Sequence, residues 1–176
     1  MADVAKEYGA ALFLLASEQN AREEYKAALD GLVATLRETP EYLEMLACPA
    51  IPKKERLAAI EQVFATRVPE HLLSYLQLLC EKGRTHCFFE SAAEFSSLYD
   101  AAERIFTARV VSAVALNVDE RARLTETLST RYGGRVLAEY AVDPALLGGI
   151  VVEIDGKILD GSLRRRLQEA KEVMKQ

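Results

Sequence analysis

Ile105-Phe106-Thr107-Ala108-Arg109-Val110-Val111-Ser112-Ala113-Val114-Ala115-Leu116 is where the chain changes character. Up to about Ile105, apolar residues recur three and four apart, the period of an α-helix. From Arg109 to Leu116, Val and Ala crowd together as they do in a buried strand. The expectation is a mostly α chain: an N-terminal six-helix bundle over residues 1–105, then a small α+β C-terminal domain over 106–176.

Downstream of this point the signals alternate. Asn117 and Glu120 have the spacing of a capping box, opening a helix that ends near Gly133-Gly134. Val136, Ala138, Tyr140 and Val142 then alternate with Leu137, Glu139 and Ala141, a period of two. Ile150, Val152 and Ile154 repeat the alternation. Asp155-Gly156 is a favoured hairpin turn, so Lys157 to Leu159 should return antiparallel. A last helix is expected from Asp160–Ser162 onward, with Leu163, Leu167, Ala170 and Met174 on one face.

Upstream, stop signals divide the helical half. The first helix is expected from Ala2 to Ser17, and Asn20 with Glu23 forms a capping-box pair for a second, to about Arg37. Thr39-Pro40 caps and opens a short third helix, Pro52 opens a fourth through about Ala65, and Val68-Pro69 opens a fifth that Gly83 terminates. A sixth is expected from Cys87 to Ile105.

Bulk composition narrows the function. Half of the 176 residues are apolar and 28% charged, the mix of an ordinary globular protein. The formal net charge of −5 argues against nucleic acid, whose phosphates call for Lys and Arg. Acidic residues follow Met1 where a signal peptide carries positive charge, and no apolar run approaches the ~20 residues that span a bilayer. No direct membrane insertion is expected. Cys48, Cys80 and Cys87 lack metal-ligand spacing and are expected as reduced thiols, and His71 and His86 sit in no metal motif.

Catalytic motifs are missing too. Gly133-Gly134 and Gly148-Gly149 belong to no phosphate-binding pattern, and turns with close backbone approach explain them. Asp143, Asp155 and Asp160 match no calcium loop and suit turns and caps. No catalytic residue, cofactor or metal is expected. Arg164-Arg165-Arg166 is the most basic stretch; a solvated helix face and a docking surface for an acidic partner both account for it. The anomaly is excess apolar surface. Between Tyr8 and Ala16 little is polar, and the fifth helix adds Tyr75 and Leu78 to Leu72, Leu73, Leu76, Leu79 and Cys80. Such helices are either central in their bundle or have a second face for a partner.

The same residues carry a resemblance. Tyr8, Ala11, Leu12, Phe13 and Ala16 resemble the opening signature of the delta subunits of F-type ATP synthases, relatives of the mitochondrial oligomycin-sensitivity-conferring protein. Asp143-Pro144-Ala145-Leu146-Leu147-Gly148-Gly149-Ile150-Val151-Val152, followed by Asp160-Gly161-Ser162-Leu163 and Arg166-Leu167, is similar to the family's C-terminal signature. Glu81-Lys82-Gly83-Arg84 resembles its end to the fifth helix. Two departures are visible: Asp155-Gly156 reverses the family's usual Gly-Asp, and Gly9 stands where the family usually has Ala.

The resemblance implies a non-catalytic stator subunit at the cytoplasmic face of a bacterial plasma membrane, or less favourably a plastid thylakoid. The first half would grip the N-terminal helix of an alpha subunit; the second would hold the peripheral-stalk b subunits, with Arg164, Arg165 and Arg166 as a weak candidate surface. For the alpha-subunit groove, helical spacing selects Tyr8, Ala11 and Leu15 on the first helix and His71, Tyr75 and Leu78 on the fifth. Leu72, Leu76 and Leu79 form the expected core face beside them. The alternative reading is a small helical RNA-binding regulatory module, which the acidic balance disfavours.

Overall fold

The computed structural model describes residues 2–173. It divides into two compact units, Met1–Tyr99 and Asp100–Gln176, the division falling inside the sixth helix and not after it.

The first unit is helical: α1 (Ala2–Glu18), α2 (Arg22–Glu38), α3 (Pro40–Ala47), α4 (Lys53–Phe64), α5 (Glu70–Glu81) and α6 (Phe88–Ala102), with a 3-10 turn at Thr85–Cys87. All six helices contribute to one apolar core. Leu12 and Ala16 of α1 meet Leu29, Leu32 and Leu36 of α2, Ile60 and Phe64 of α4, Leu72, Leu76 and Leu79 of α5, and Phe88 and Phe95 of α6. The face expected to be core on the fifth helix is therefore core.

Two expected caps differ. Asn20 does not open α2; it takes a left-handed φ of 53° and closes α1. Its N–H donates to the Ser17 carbonyl at 3.1 Å and the Ala21 N–H to the Ala16 carbonyl at 2.9 Å, the paired bonds of a Schellman end. Asn tolerates this conformation better than any residue but Gly, and that use won over capping. The N-cap of α2 is Ala21, with no side-chain cap. Thr39 stands at the N-cap of α3, but its hydroxyl donates back to the Thr35 carbonyl at 2.8 Å. Gly83 ends α5 as expected, at φ 64°, with Gly83 N–H on Cys80 and Arg84 N–H on Leu79.

Gly9 has a packing reason. A Cβ built there would lie 2.5 Å from the Ser91 carbonyl oxygen and 2.8 Å from Glu94 Cβ, so α1 and α6 touch through bare backbone at this point.

The second unit holds β1 (Ile105–Ser112), α7 (Val118–Tyr132), β2 (Arg135–Val142), β3 (Ile150–Ile154), β4 (Lys157–Asp160) and α8 (Leu163–Val173). The sheet order is β2-β1-β3-β4. β1 and β2 are parallel, joined across α7, with Val110 opposite Tyr140. β3 runs antiparallel to β1 with Val152 opposite Val110, and β4 returns antiparallel to β3. Ala108, Val110, Val136, Val152 and Ile154 pack with Leu128 of α7 into a second core. The strand begins at Ile105, four residues ahead of the expected Arg109, because Arg104 turns left-handed at φ 52° and ends the helical run. The Asn117–Glu120 capping box is present in both directions. Asp155 and Gly156 both have positive φ, 51° and 68°, as a type I′ turn requires. The chain is thus mostly helical, with a small four-stranded sheet toward its C-terminus.

Candidate functional site

Among the described residues no group of three or more His, Cys, Asp or Glu is placed to hold a metal ion, and Cys48, Cys80 and Cys87 are free thiols. The glycine pairs are backbone devices. Gly133 is the left-handed cap of α7, and a Cβ on Gly134 would meet the Arg104 carbonyl at 2.1 Å. Gly149, at φ 80°, lies against Gly161, whose carbonyl oxygen a Cβ would meet at 2.3 Å. Gly161 N–H donates to the Ile150 carbonyl and Leu163 N–H to the Gly148 carbonyl, each at 2.9 Å. The two halves of the C-terminal signature therefore close on each other through main chain. Asp143 and Asp160 are turn residues: each carboxylate accepts a backbone N–H two residues on, from Ala145 and Ser162, at 2.9 Å.

One concave feature of the first unit is an open groove of about 560 Å³ between α1 and α5. Tyr8, Ala11 and Leu15 line one wall and His71, Tyr75 and Leu78 the other, with Leu12 and Ser74. All six residues selected by helical spacing are thus brought together. From Tyr8 to Leu15 the wall runs about 10 Å at the helical rise, roughly two turns of a guest helix.

The six are not equivalent. Ala11, His71 and Leu78 are exposed, Leu78 at 39%, and Tyr8 and Leu15 are half-buried. Tyr75, expected as a partly exposed recognition residue, is buried at 7% and joins the core beneath the groove. The cause is a distant partner: its hydroxyl hydrogen-bonds the Ser91 hydroxyl of α6, and Ser91 donates onward to the Phe88 carbonyl at 2.8 Å. Burial, partly offset by that hydrogen bond, pushes the Tyr75 phenol up to about 12. Its ring meets the Tyr8 ring edge-on at 6.4 Å.

Three features around the groove were not selected from sequence. Leu12 and Ser74 line it, Leu14 on the same helix as Leu12 is 62% exposed, and Arg84 meets Tyr8 at one end. Arg84 Nη1 donates to the Tyr8 hydroxyl at 3.0 Å, and its guanidinium carbon lies 5.8 Å from the Tyr8 ring centroid. The signal for Leu14 was available in the greasy run of the first helix; the signal for Arg84 was its place in the Glu81–Arg84 signature.

In the second unit Arg164, Arg165 and Arg166 are all exposed at the start of α8. Ser162 caps this helix, its hydroxyl accepting the Arg165 N–H at 3.2 Å. Asp160 is held below the ordinary carboxylate range by its hydrogen bonds to Ser162, with help from the Arg165 and Arg164 charges. The expected apolar face of the last helix is not core: Leu163 is 46% exposed and Leu167 61%, while the Ala170 side chain and Met174 lie outside the described residues. The second unit also has an open groove of about 910 Å³, lined by Leu124 and Arg131 of α7, Ile158 and Leu159 of β4, and Arg165. Sequence reading missed this groove. Ile158, 65% exposed on a four-residue strand, was its signal.

The sequence profile of the family described as "ATP synthase delta (OSCP) subunit" matches residues 4–174. The chain is 30% identical over 169 residues to a protein of Clostridium kluyveri named ATP synthase subunit delta, covering 96% of this chain and 93% of that one. It is 33% identical over 173 residues to the protein of the same name from Moorella thermoacetica, covering 98% and 97%. Its fold is similar to a chain in the Toxoplasma gondii mitochondrial ATP synthase hexamer, with a TM-score of 0.68 at 17% identity over 98% of this chain and 97% of that one. No helix among the described residues is long and apolar enough to cross a membrane. On its near full-length match, the chain belongs to the ATP synthase delta (OSCP) subunit family.

Proposed function

We propose that the protein is the non-catalytic stator joint of a bacterial rotary ATP synthase, gripping the N-terminal helix of an alpha subunit with its first unit and the peripheral-stalk b subunits with its second. It sits peripherally at the cytoplasmic face through that complex and keeps the catalytic hexamer from turning with the rotor. The observation that carries the reading is the α1–α5 groove. It is largely apolar, open, about two helical turns long, and lined by Leu78, which stays exposed. An amphipathic helix laid in such a groove is a recurrent recognition mode. The stalk reading is supported by exposed Leu163 and Leu167 on the helix that carries Arg164–Arg166, and by exposed Ile158, which shares a groove with Arg165. No observation favours the RNA-binding alternative.

The test is titration calorimetry of the full-length protein with a synthetic peptide of the alpha-subunit N-terminus, beside thermal melts. Leu78→Asp and Tyr8→Ala should each weaken binding by more than ~1 kcal/mol, the scale of a contact that matters, while leaving the melt nearly unchanged. Leu76→Asp should unfold the first unit, since Leu76 is 7% exposed within the core. Unaltered peptide affinity in both groove variants would locate the alpha-subunit site elsewhere.

A further inference from the structure

β2 is one edge of the sheet, with β1 on its inner side. At the start of the strand the Arg135 N–H donates to the Arg104 carbonyl at 2.9 Å, and just past its end the Asp143 N–H donates to the Ser112 carbonyl at 2.8 Å. The register with β1 is unbroken between them, so the odd-numbered residues of β2 turn their main chain toward β1. Val136, Ala138, Tyr140 and Val142 turn theirs outward, to the open edge.

Side chains alternate with the same period. Val136, Ala138 and Tyr140 pack into the core of the second unit with Leu128. Arg135, Leu137, Glu139 and Ala141 alternate with them onto the opposite face and are exposed, Leu137 at 47%. Among the described residues neither Arg135 nor Glu139 is in an ion pair.

We propose that this edge pairs with a second copy of the chain, β2 against β2 in antiparallel register, with Leu137 on the two-fold axis and Arg135 of each copy opposite Glu139 of the other.

An edge strand is a template for another strand, and charge is a common means of blunting it. A single sign of charge would do so here. Arg135 and Glu139 have opposite signs instead, two residues to either side of Leu137. A two-fold contact is isologous: whatever residue i meets, j meets in return. Centred on Leu137, the contact sets Arg135 against Glu139 on both sides of the axis. These residues give their main chain to β1, so their cross-copy pairs fall at the non-hydrogen-bonded sites, where facing side chains stand closest. Val136 faces Ala138 of the second copy, and the two exchange both main-chain N–H···O bonds. Neighbouring registers fail. Centring on Arg135 or Glu139 sets like charges directly opposite, and centring on Val136 or Ala138 sets Leu137 against a charge. By register Glu153, Arg109 and Glu139 stand side by side across β3, β1 and β2, and Arg135 of the second copy extends that alternation of sign. The contact is short, below the ~1,200 Å² of a standard interface, so the dimer is weak and reversible. It uses the edge opposite β4 and leaves the groove that Ile158 lines free.

The experiment is sedimentation velocity of the full-length, reduced protein from about 1 µM to about 500 µM, a range suited to a weak contact. The mean mass should climb from monomer toward dimer, and less so as salt rises from about 0.02 M to about 0.5 M, because the ion pairs are screened. Arg135→Glu and Glu139→Arg should each weaken self-association about tenfold, since each sets like charges opposite on both sides of the axis. Mixed in equal amounts, the two variants should associate with each other, because every facing pair in the mixed dimer is then of opposite sign. Circular dichroism confirms that both variants fold; if either does not, the salt series on the parent decides. A parent that stays monomeric throughout, a salt-independent dimer, or a mixture no more associated than its components would overturn the inference. So would a dimer that both charge variants keep and Leu78→Asp abolishes, which would place self-association in the α1–α5 groove.

Discussion

Gly9→Ala should destabilise the protein, although alanine is the better helix former. In the interior of α1 the exchange gains roughly 0.8–1 kcal/mol of helix propensity. Against this stands the contact with α6. The new Cβ would lie 2.5 Å from the Ser91 carbonyl oxygen, where carbon and oxygen ordinarily stop at about 3.3–3.6 Å. It would lie 2.8 Å from Glu94 Cβ, where carbons rest at about 3.5–4.0 Å. Backbone oxygen has no rotamer to escape into, so a turn of α6 must retreat by about an ångström. Overpacking of that kind costs typically ~1–3 kcal/mol, which outweighs the propensity gain by about 1 kcal/mol at the middle of the range. For a unit of this size the melt should fall by ~4–8 °C. Gly31→Ala is the control. It makes the same change in the interior of α2, where a Cβ meets nothing within 4 Å, and should stabilise. Thermal melts by far-UV circular dichroism compare the two. A Gly9→Ala protein that melts higher than the parent would refute the close-approach argument. Retreat of Ser91 would also loosen Tyr75 beneath the groove, so peptide affinity should fall together with stability.

Gly149→Ala should unfold the second unit, since its Cβ would strike the Gly161 carbonyl oxygen at 2.3 Å from a φ of 80°; near-native melting of that variant would contradict this. Alkaline pH should weaken the first unit. Burial holds the Tyr42 and Tyr75 phenols up to about 12, so above their ordinary 10.0 the unfolded chain loses these protons first, and stability falls between about pH 10 and pH 12. Denaturant midpoints measured across that window should fall less steeply in Tyr75→Phe.

What was legible in the sequence was local. The Asn117–Glu120 box, the Gly83 end of α5 and the Asp155-Gly156 turn each depend on residues within one turn of chain, and each stands where the pattern put it. The groove walls were legible because helical spacing alone gathers Tyr8, Ala11 and Leu15, or His71, Tyr75 and Leu78, on one face. Misreadings arose where two local uses competed. Asn20 has the spacing of an N-cap and the tolerance for left-handed φ, and the point at which α1 stops decides between them. Arg104 turns left-handed with no glycine to announce it, which hid the true start of β1. Tyr75 was misjudged because its partner, Ser91, lies on another helix, and no period within α5 reports that hydroxyl.

The C-terminal signature shows why a conspicuous pattern can carry no chemistry. Gly148-Gly149 and Gly161 are twelve and thirteen positions apart in the chain, yet Gly149 lies against the Gly161 carbonyl and Gly148 against the Leu163 side chain. Side chains at these points would force the strand apart from the turn that starts α8. The glycines therefore set where α8 leaves the sheet, and Ser162, 2% exposed, caps it there. That fixes where Arg164, Arg165 and Arg166 emerge, brings Arg165 to the groove that Ile158 lines, and leaves Leu163 and Leu167 exposed. The motif itself carries no chemistry: its backbone contacts shape the platform from which the exposed arginines of α8 emerge.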